Sequence, residues 1–174
     1  MGLDTAVGAL GALVRQCRLA HAAASVSIAR VDGHELVFVA AEGEGAEAIL
    51  GTRMPVGEGL AGYVALSGQA LEVAHVVDDP RFAREVAEAT GYVPDAILLA
   101  PAVGPAGEVV GVLSVLDRRR DDGGGHALEM AGHAAEVAAA LLAAGPARDG
   151  GGAVLAAAVA AALDAYHAEH GADG

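Results

Sequence analysis

Eight consecutive residues, Val109 to Leu116, carry no charge and almost no polarity. A strand of that composition has to be covered on both faces, because a face left to water would expose an unbroken apolar surface. The rest of the chain must therefore supply layers on both sides of a sheet. The segment before it, Ala96 to Val103, reads as a second strand, joined through Gly104-Pro105-Ala106-Gly107-Glu108, a loop built of turn formers. Pro101 removes one donor from the ladder, which predicts a bulge or a sheet edge at that point.

Upstream, Leu3, Val7, Leu10, Val14 and Cys17 recur at alternating four- and three-residue spacing and predict a helix over 3–22. Gly8 and Gly11 each weaken it by roughly 1 kcal/mol relative to Ala, so the helix depends on packing. Then the period changes. Ser25-Val26-Ser27-Ile28 and Leu36-Val37-Phe38-Val39 read as two strands of a hairpin turned at Asp32-Gly33. Residues 42–47, acidic and rich in Gly, read as a loop. Met54 to Val64 holds Gly57, Gly59 and Gly62 and leads into a short helix ending near Ser67-Gly68. Leu71-Glu72-Val73 reads as a short strand. Asp78-Asp79-Pro80-Arg81-Phe82 predicts the start of a helix that runs to Thr90 and stops at Gly91, with Asp as cap and Pro in the first turn. Arg118 to Gly125 reads as a hinge, after which Met130, Ala134, Val137 and Leu141 mark another helical stripe. Three units result: a domain over 1–144, a Gly-rich linker over 145–152, and an Ala-rich helix or tail over 153–174. No internal repeat is present.

Composition removes several functions. Acidic residues number 23 against 10 basic, a net charge of −13. Binding to nucleic acid or to an anionic membrane surface needs the opposite balance. Every basic residue is Arg, so Schiff-base and P-loop lysine chemistry is absent. The N-terminus lacks the basic flank and apolar core of a signal peptide, and no apolar run is long enough to span a bilayer; a cytoplasmic location is expected. A single cysteine, Cys17, permits neither an internal disulfide nor a multi-cysteine zinc site, and on the helical seam it reads as a buried small hydrophobe. His126 with His133, and His167 with His170, lack an acidic or cysteine partner that would complete a metal site. Asp78, Asp79 and Asp95 read as helix caps and a strand start rather than an acid–base pair. None of the four serines sits in a nucleophile elbow. Gly57-x-Gly59-x-x-Gly62 imitates a dinucleotide fingerprint without the parallel βαβ unit that gives it meaning. The charge of Arg118 to Arg120 is cancelled by Asp117, Asp121 and Asp122, which reads as a solvated turn.

Three motifs occur in order. The first is Val56-Gly57-Glu58-Gly59-Leu60-Ala61-Gly62-Tyr63-Val64, and the second Val76-Val77-Asp78-Asp79-Pro80-Arg81-Phe82. The third joins Pro101-Ala102-Val103 to Gly107-Glu108-Val109-Val110-Gly111-Val112-Leu113. Together, over roughly residues 4–143, they resemble the GAF domain, a small-ligand sensory module related to PAS domains. The resemblance implies an α+β fold: a central antiparallel sheet with the first and penultimate helices packed on one face, and short helices and loops over a pocket on the other. Pockets of that family hold a cyclic nucleotide, a tetrapyrrole, haem or another small molecule, and often nothing known; no cofactor is specified. The cyclic-nucleotide signature Asn-Lys…Phe-Asp-Glu needs an Asn and a Lys, and this chain has neither. Methionine-sulfoxide reductases of the fold use cysteine pairs, and bilin attachment uses a pocket thiol.

By the same resemblance the pocket residues are Tyr63, His75, Asp79, Arg81 and Phe82, in the roles of hydrogen-bond donor, ring contacts and anion clamp. The expected protein is a stand-alone bacterial sensory module without enzymatic activity. Its output would pass through a homodimer formed by the Leu3–Cys17 and Met130–Leu141 stripes, or through a regulatory partner protein. The alternative is a scaffold of the same fold whose pocket is closed by Ala and Val side chains.

Overall fold

The computed structural model describes residues 2–119 and 125–144. The elements run α1 (Gly2–Ala20), β1 (Ala23–Asp32), β2 (Glu35–Gly43), α2 (Ala46–Ile49), β3 (Arg53–Pro55), α3 (Gly59–Ser67), β4 (Leu71–Val73), α4 (Arg84–Ala89), β5 (Ile97–Val103), β6 (Val109–Arg118) and α5 (Gly125–Ala143). The strands form one antiparallel sheet in the order β3-β2-β1-β6-β5-β4. The chain thus has the expected α+β architecture. The predicted linker over 145–152 and tail over 153–174 lie outside the described residues, as does most of the predicted hinge.

β1 and β6 pair at the centre of the sheet, from Ala23 opposite Arg118 to Arg30 opposite Gly111. Strand alternation sends successive side chains into two different layers. On one face Val26, Ile28, Leu98, Ala100, Leu113 and Val115 meet α1 and α5 in the larger core. On the other, Ala29, Leu36, Phe38, Leu99 and Val112 meet Met54, Leu60, Ala61, Val64 and Val76 in the smaller core. The apolar run in β6 is buried on both faces for this reason, as its composition requires. Pro101 lies past the end of β4, whose pairing with β5 stops at Leu71 opposite Leu99, so β5 is an edge at the proline. The β5–β6 register slips one position later, between Ala102 and Val103.

Several local readings are corrected. Opposite Ile28 and Ala29 stand Ala40 and Phe38, which leaves Val39 as an extra residue in β2. This bulge turns Phe38 toward one core and Ala40 toward the other. Residues 42–47, read as loop, contribute the end of β2 and the start of α2. The helix predicted to begin at Asp78-Asp79-Pro80 begins only at Arg84, with a 3₁₀ turn over Val76–Asp78. Asp79 is the reason: its carboxylate accepts the amide of Arg81 at 2.9 Å and turns the chain, where a cap would have received amides of a continuing helix. The α5 seam is also rotated from the expected stripe. Ala127, Ala131, Ala135, Ala138 and Leu141 are buried, whereas Met130, Ala134 and Val137 are only partly so. A line of alanines lets α5 lie against the sheet closely enough that a Cβ on Gly111 would fall 2.6 Å from Leu142 Cδ1. In α1, Leu10, Val14 and Cys17 are buried against the chain's own sheet, while Val7 is 54% exposed. The side chain of Leu3 lies outside the described residues. Among the described residues no helix is long and apolar enough to cross a membrane.

Gly62 and Gly11 make opposite demands. A Cβ on Gly62 would meet the Pro55 carbonyl oxygen and the Gly57 nitrogen at 2.9 Å, both of them backbone, whereas one on Gly11 meets nothing within 4 Å. Denaturant unfolding should therefore show Gly62→Ala destabilised by about 1–3 kcal/mol through overpacking. In Gly11→Ala the helix gains roughly 0.5–1 kcal/mol.

Candidate functional site

Between the sheet and the short elements α2, β3, α3 and α4 lies a cavity of about 110 Å³. Its floor is the sheet: Ser25 and Ser27 from β1, Ser114 and Leu116 from β6, Phe38 from β2 and Ile97 from β5. Its roof carries Ile49, Met54, Leu60, Ala61, Phe82, Val86 and Ala87. Alternation explains the floor. Val26, Ile28, Leu113 and Val115 face the helices, so Ser27 and Ser114 face the cavity, and the two serines stand directly opposite each other in the β1–β6 register.

These serines are 6% and 4% exposed. Ser25 donates its hydroxyl to the Glu42 carbonyl at 3.2 Å. The hydroxyls of Ser27 and Ser114 have no hydrogen-bond partner among the described residues. Neither oxygen is sealed from solvent, so the pair is open to hydrogen bonds with water or another occupant of the cavity. Among the described residues Glu44 is the sole charged one in the lining. It is exposed, and with Tyr92 it lines both the cavity and an adjoining surface cleft bordered by Arg18 and Arg119.

Asp117 fastens the roof to the sheet. Its carboxylate accepts the amides of Asp95 and Ala96 at 2.9 and 2.8 Å, and also the Tyr92 hydroxyl. Asp117 holds this position from left-handed backbone, at φ 48°. Partial burial and the neighbouring carboxylate push the Tyr92 phenol above its ordinary range, so it stays protonated as a donor. Thr90 closes the end of α4 by donating to the Ala87 carbonyl at 2.7 Å.

Of the five residues singled out from the sequence, Phe82 lines the cavity. Tyr63, Asp79 and Arg81 are brought together beside it, outside the lining. The Asp79 carboxylate accepts Arg81 Nε at 3.0 Å and Nη2 at 2.7 Å, and the guanidinium carbon lies 4.6 Å from the Tyr63 ring centre. Hydrogen bonds from Arg81 hold the Asp79 carboxyl down at about 2. His75 occupies left-handed backbone at φ 54°. Its Nδ1 lies 3.0 Å from Asp95 Oδ1, with a side chain 71% exposed. That hydrogen bond raises the His75 pKa. Sequence reasoning missed Ser27, Ser114, Tyr92 and Asp117. The available signal was a serine inside each of two strands otherwise bound for burial.

The one thiol is remote. Cys17 packs with the helix-side core, and burial pushes its pKa up to about 12. Among the described residues no three His, Cys, Asp or Glu side chains gather to hold a metal ion. His126 has Glu129 at 3.9 Å on the same helix, and His167 and His170 lie outside the described residues.

An antiparallel sheet with two long helices on one face and a roofed, hydroxyl-floored cavity on the other defines a class of α+β domain. Residues 5–144 match the family model of the GAF domain, and the chain belongs to that family. Among curated relatives, dual 3',5'-cyclic-AMP and -GMP phosphodiesterase 11A from Takifugu rubripes is 32% identical over 66 residues. That match covers 38% of this chain and 7% of the relative, so the chain corresponds to a small part of the larger protein. Among solved structures, the GAF domain of a phosphoenolpyruvate-protein phosphotransferase from Coxiella burnetii superposes with a TM-score of 0.68 at 23% identity, covering 79% of this chain and 82% of that one. The type II free methionine-R-sulfoxide reductase of Thermoplasma acidophilum superposes at 0.66 with 15% identity, covering 82% and 95%. At these identities the two structures share the fold.

The His75–Asp95 pair gives a pH signature. Because the folded-state pKa of His75 is raised, its stabilising contribution is complete below the unfolded value near 6.5 and fades as pH climbs through the folded one. In an NMR titration His75 should have the higher midpoint in the wild type and the lower one in Asp95→Asn. Equal midpoints would break the assignment of Asp95 as its partner.

Proposed function

We propose that this GAF domain is a non-enzymatic sensory or regulatory module that binds a small molecule in the cavity between the sheet and the roof. The observation that carries the reading is the pair of facing hydroxyls, Ser27 and Ser114, on the floor of a largely apolar cavity. A volume of about 110 Å³ lies below the several hundred cubic ångströms usual for nucleotide or cofactor sites, so a haem, tetrapyrrole or cyclic nucleotide would require the roof to move. Phe82 serves as the ring contact. Tyr63, Asp79 and Arg81 serve the site by bracing the roof segment that carries Phe82, with the Arg81 charge already met by Asp79.

The absence of enzymatic activity is supported by the placement of Cys17. It is buried with the helix-side core, across the sheet from the cavity, and is held as an un-ionised thiol, the inert form. Output passes through the terminal helices, by self-association or to a regulatory partner protein. Since Leu10, Val14 and Cys17 are already buried within the chain, the dimer contact falls to the outer side of α1, where Val7 and Leu19 are exposed. A cytoplasmic setting fits an acidic chain with a single buried thiol.

Ala87→Leu tests the reading by adding bulk to the cavity wall. Native mass spectrometry and thermal unfolding of the full chain should show a small molecule that binds the wild type and not the variant. A ligand at a hundred times its Kd stabilises by about 2.7 kcal/mol. Absence of any retained molecule, together with no thermal shift across amino acids, short amides, nucleotides, haem and bilins, would favour a ligand-free scaffold.

A further inference from the structure

Resting on that reading, we propose that the cavity selects an uncharged small molecule, apolar over most of its surface, whose single hydrogen-bonding end is held jointly by Ser27 and Ser114. Amides, alcohols and ketones of about six to eight non-hydrogen atoms are the class that fits, since cavities of comparable size hold a benzene ring.

Three observations converge on this class. First, Ser27 and Ser114 are direct cross-strand partners, so their hydroxyls project from neighbouring points of one face and reach the same ligand atom or amide group. Each hydroxyl donates one hydrogen bond and accepts others, which suits a carbonyl, a hydroxyl or a primary amide equally. Second, among the described residues the lining contains no Arg and no His, and its one charge, Glu44, sits exposed at the rim. An anion would therefore lose its hydration with no cation to receive it, in a protein of net charge −13. A cation on the floor would meet only neutral hydroxyls, because the rim carboxylate remains in water. Third, the surfaces around the two serines are Phe38, Met54, Leu60, Phe82, Ile97 and Leu116. They offer contact to an apolar body, and the other hydroxyls of the lining, those of Ser25, Thr90 and Tyr92, already donate to protein acceptors.

An isosteric charge series on the full chain tests the assignment: isovaleramide, isovalerate and isoamylamine, with benzene as a purely apolar probe. Binding is read by thermal shift and by amide resonances of β1 and β6. Isovaleramide should bind at least tenfold more tightly than either charged analogue and move the Ser27 and Ser114 signals. The double variant Ser27→Ala/Ser114→Ala should lose at least tenfold for isovaleramide while keeping its affinity for benzene. Isovalerate or isoamylamine binding as tightly as the amide would overturn the selection for neutral ligands, as would an amide affinity unchanged in the double variant. Benzene binding alone would overturn it too, while leaving a ligand-accepting cavity in place. If none of the four binds, this inference and the binding reading fail together. The charge series is read on the wild type, so its outcome does not depend on how the variant folds.

Discussion

The middles of β1 and β6 are buried on both faces, and covering both faces is the demand that the other elements answer. One face is covered simply. α1 and α5 are long enough to present a continuous seam, and the alanines of α5 let it lie close. The other face is covered by pieces of three to nine residues, from β3 to α4, none of which is stable as an isolated element. Their placement depends on tie points: the backbone packing around Gly62, the carboxylate of Asp117, and the Asp79–Arg81–Tyr63 cluster. A cover assembled from fragments does not close completely over a flat floor, and the cavity is the space it leaves.

That division also separates the chemistry. The thiol lies in the tightly packed helix-side core, un-ionised and away from the cavity. The Arg81 guanidinium is occupied by Asp79 and stacked on Tyr63, so it braces rather than receives. Among the described residues, the polar groups that face the interior without a protein partner are two neutral hydroxyls, Ser27 and Ser114, amid mostly apolar side chains. Groups of this kind can donate to and accept from a polar group placed between them. Tyr92 lines both the cavity and the outer cleft beside α1, and through Asp117 it is bonded to the end of β6. The interior and the terminal helix thus share a wall.

Much of the architecture was legible because it rests on composition and period. The apolar run of β6, the Asp32-Gly33 hairpin, the glycines around α3 and the stop at Gly91 all follow from local backbone preference. The details that escaped are those in which a side chain competes with the backbone or packing rotates an element. Asp79 reads as a cap, yet its carboxylate turns toward Arg81, and α4 begins later than its sequence suggests. The bulge at Val39 has no glycine to announce it. The α5 seam follows the alanines because close approach to the sheet outweighs the area offered by Met130 and Val137. In the site, Phe82 was accessible to reasoning by motif. Ser27 and Ser114 were not, because only pairing register shows that they meet.

The central claim is an accessible hollow above Ser27 and Ser114, and a crystal structure of the chain pressurised with xenon tests it most directly. Apolar cavities of this scale take up xenon. The account predicts a xenon site bounded by Phe38, Leu60, Phe82 and Leu116. A roof collapsed onto the sheet, with side chains filling that volume and both serine hydroxyls bonded to protein, would contradict it.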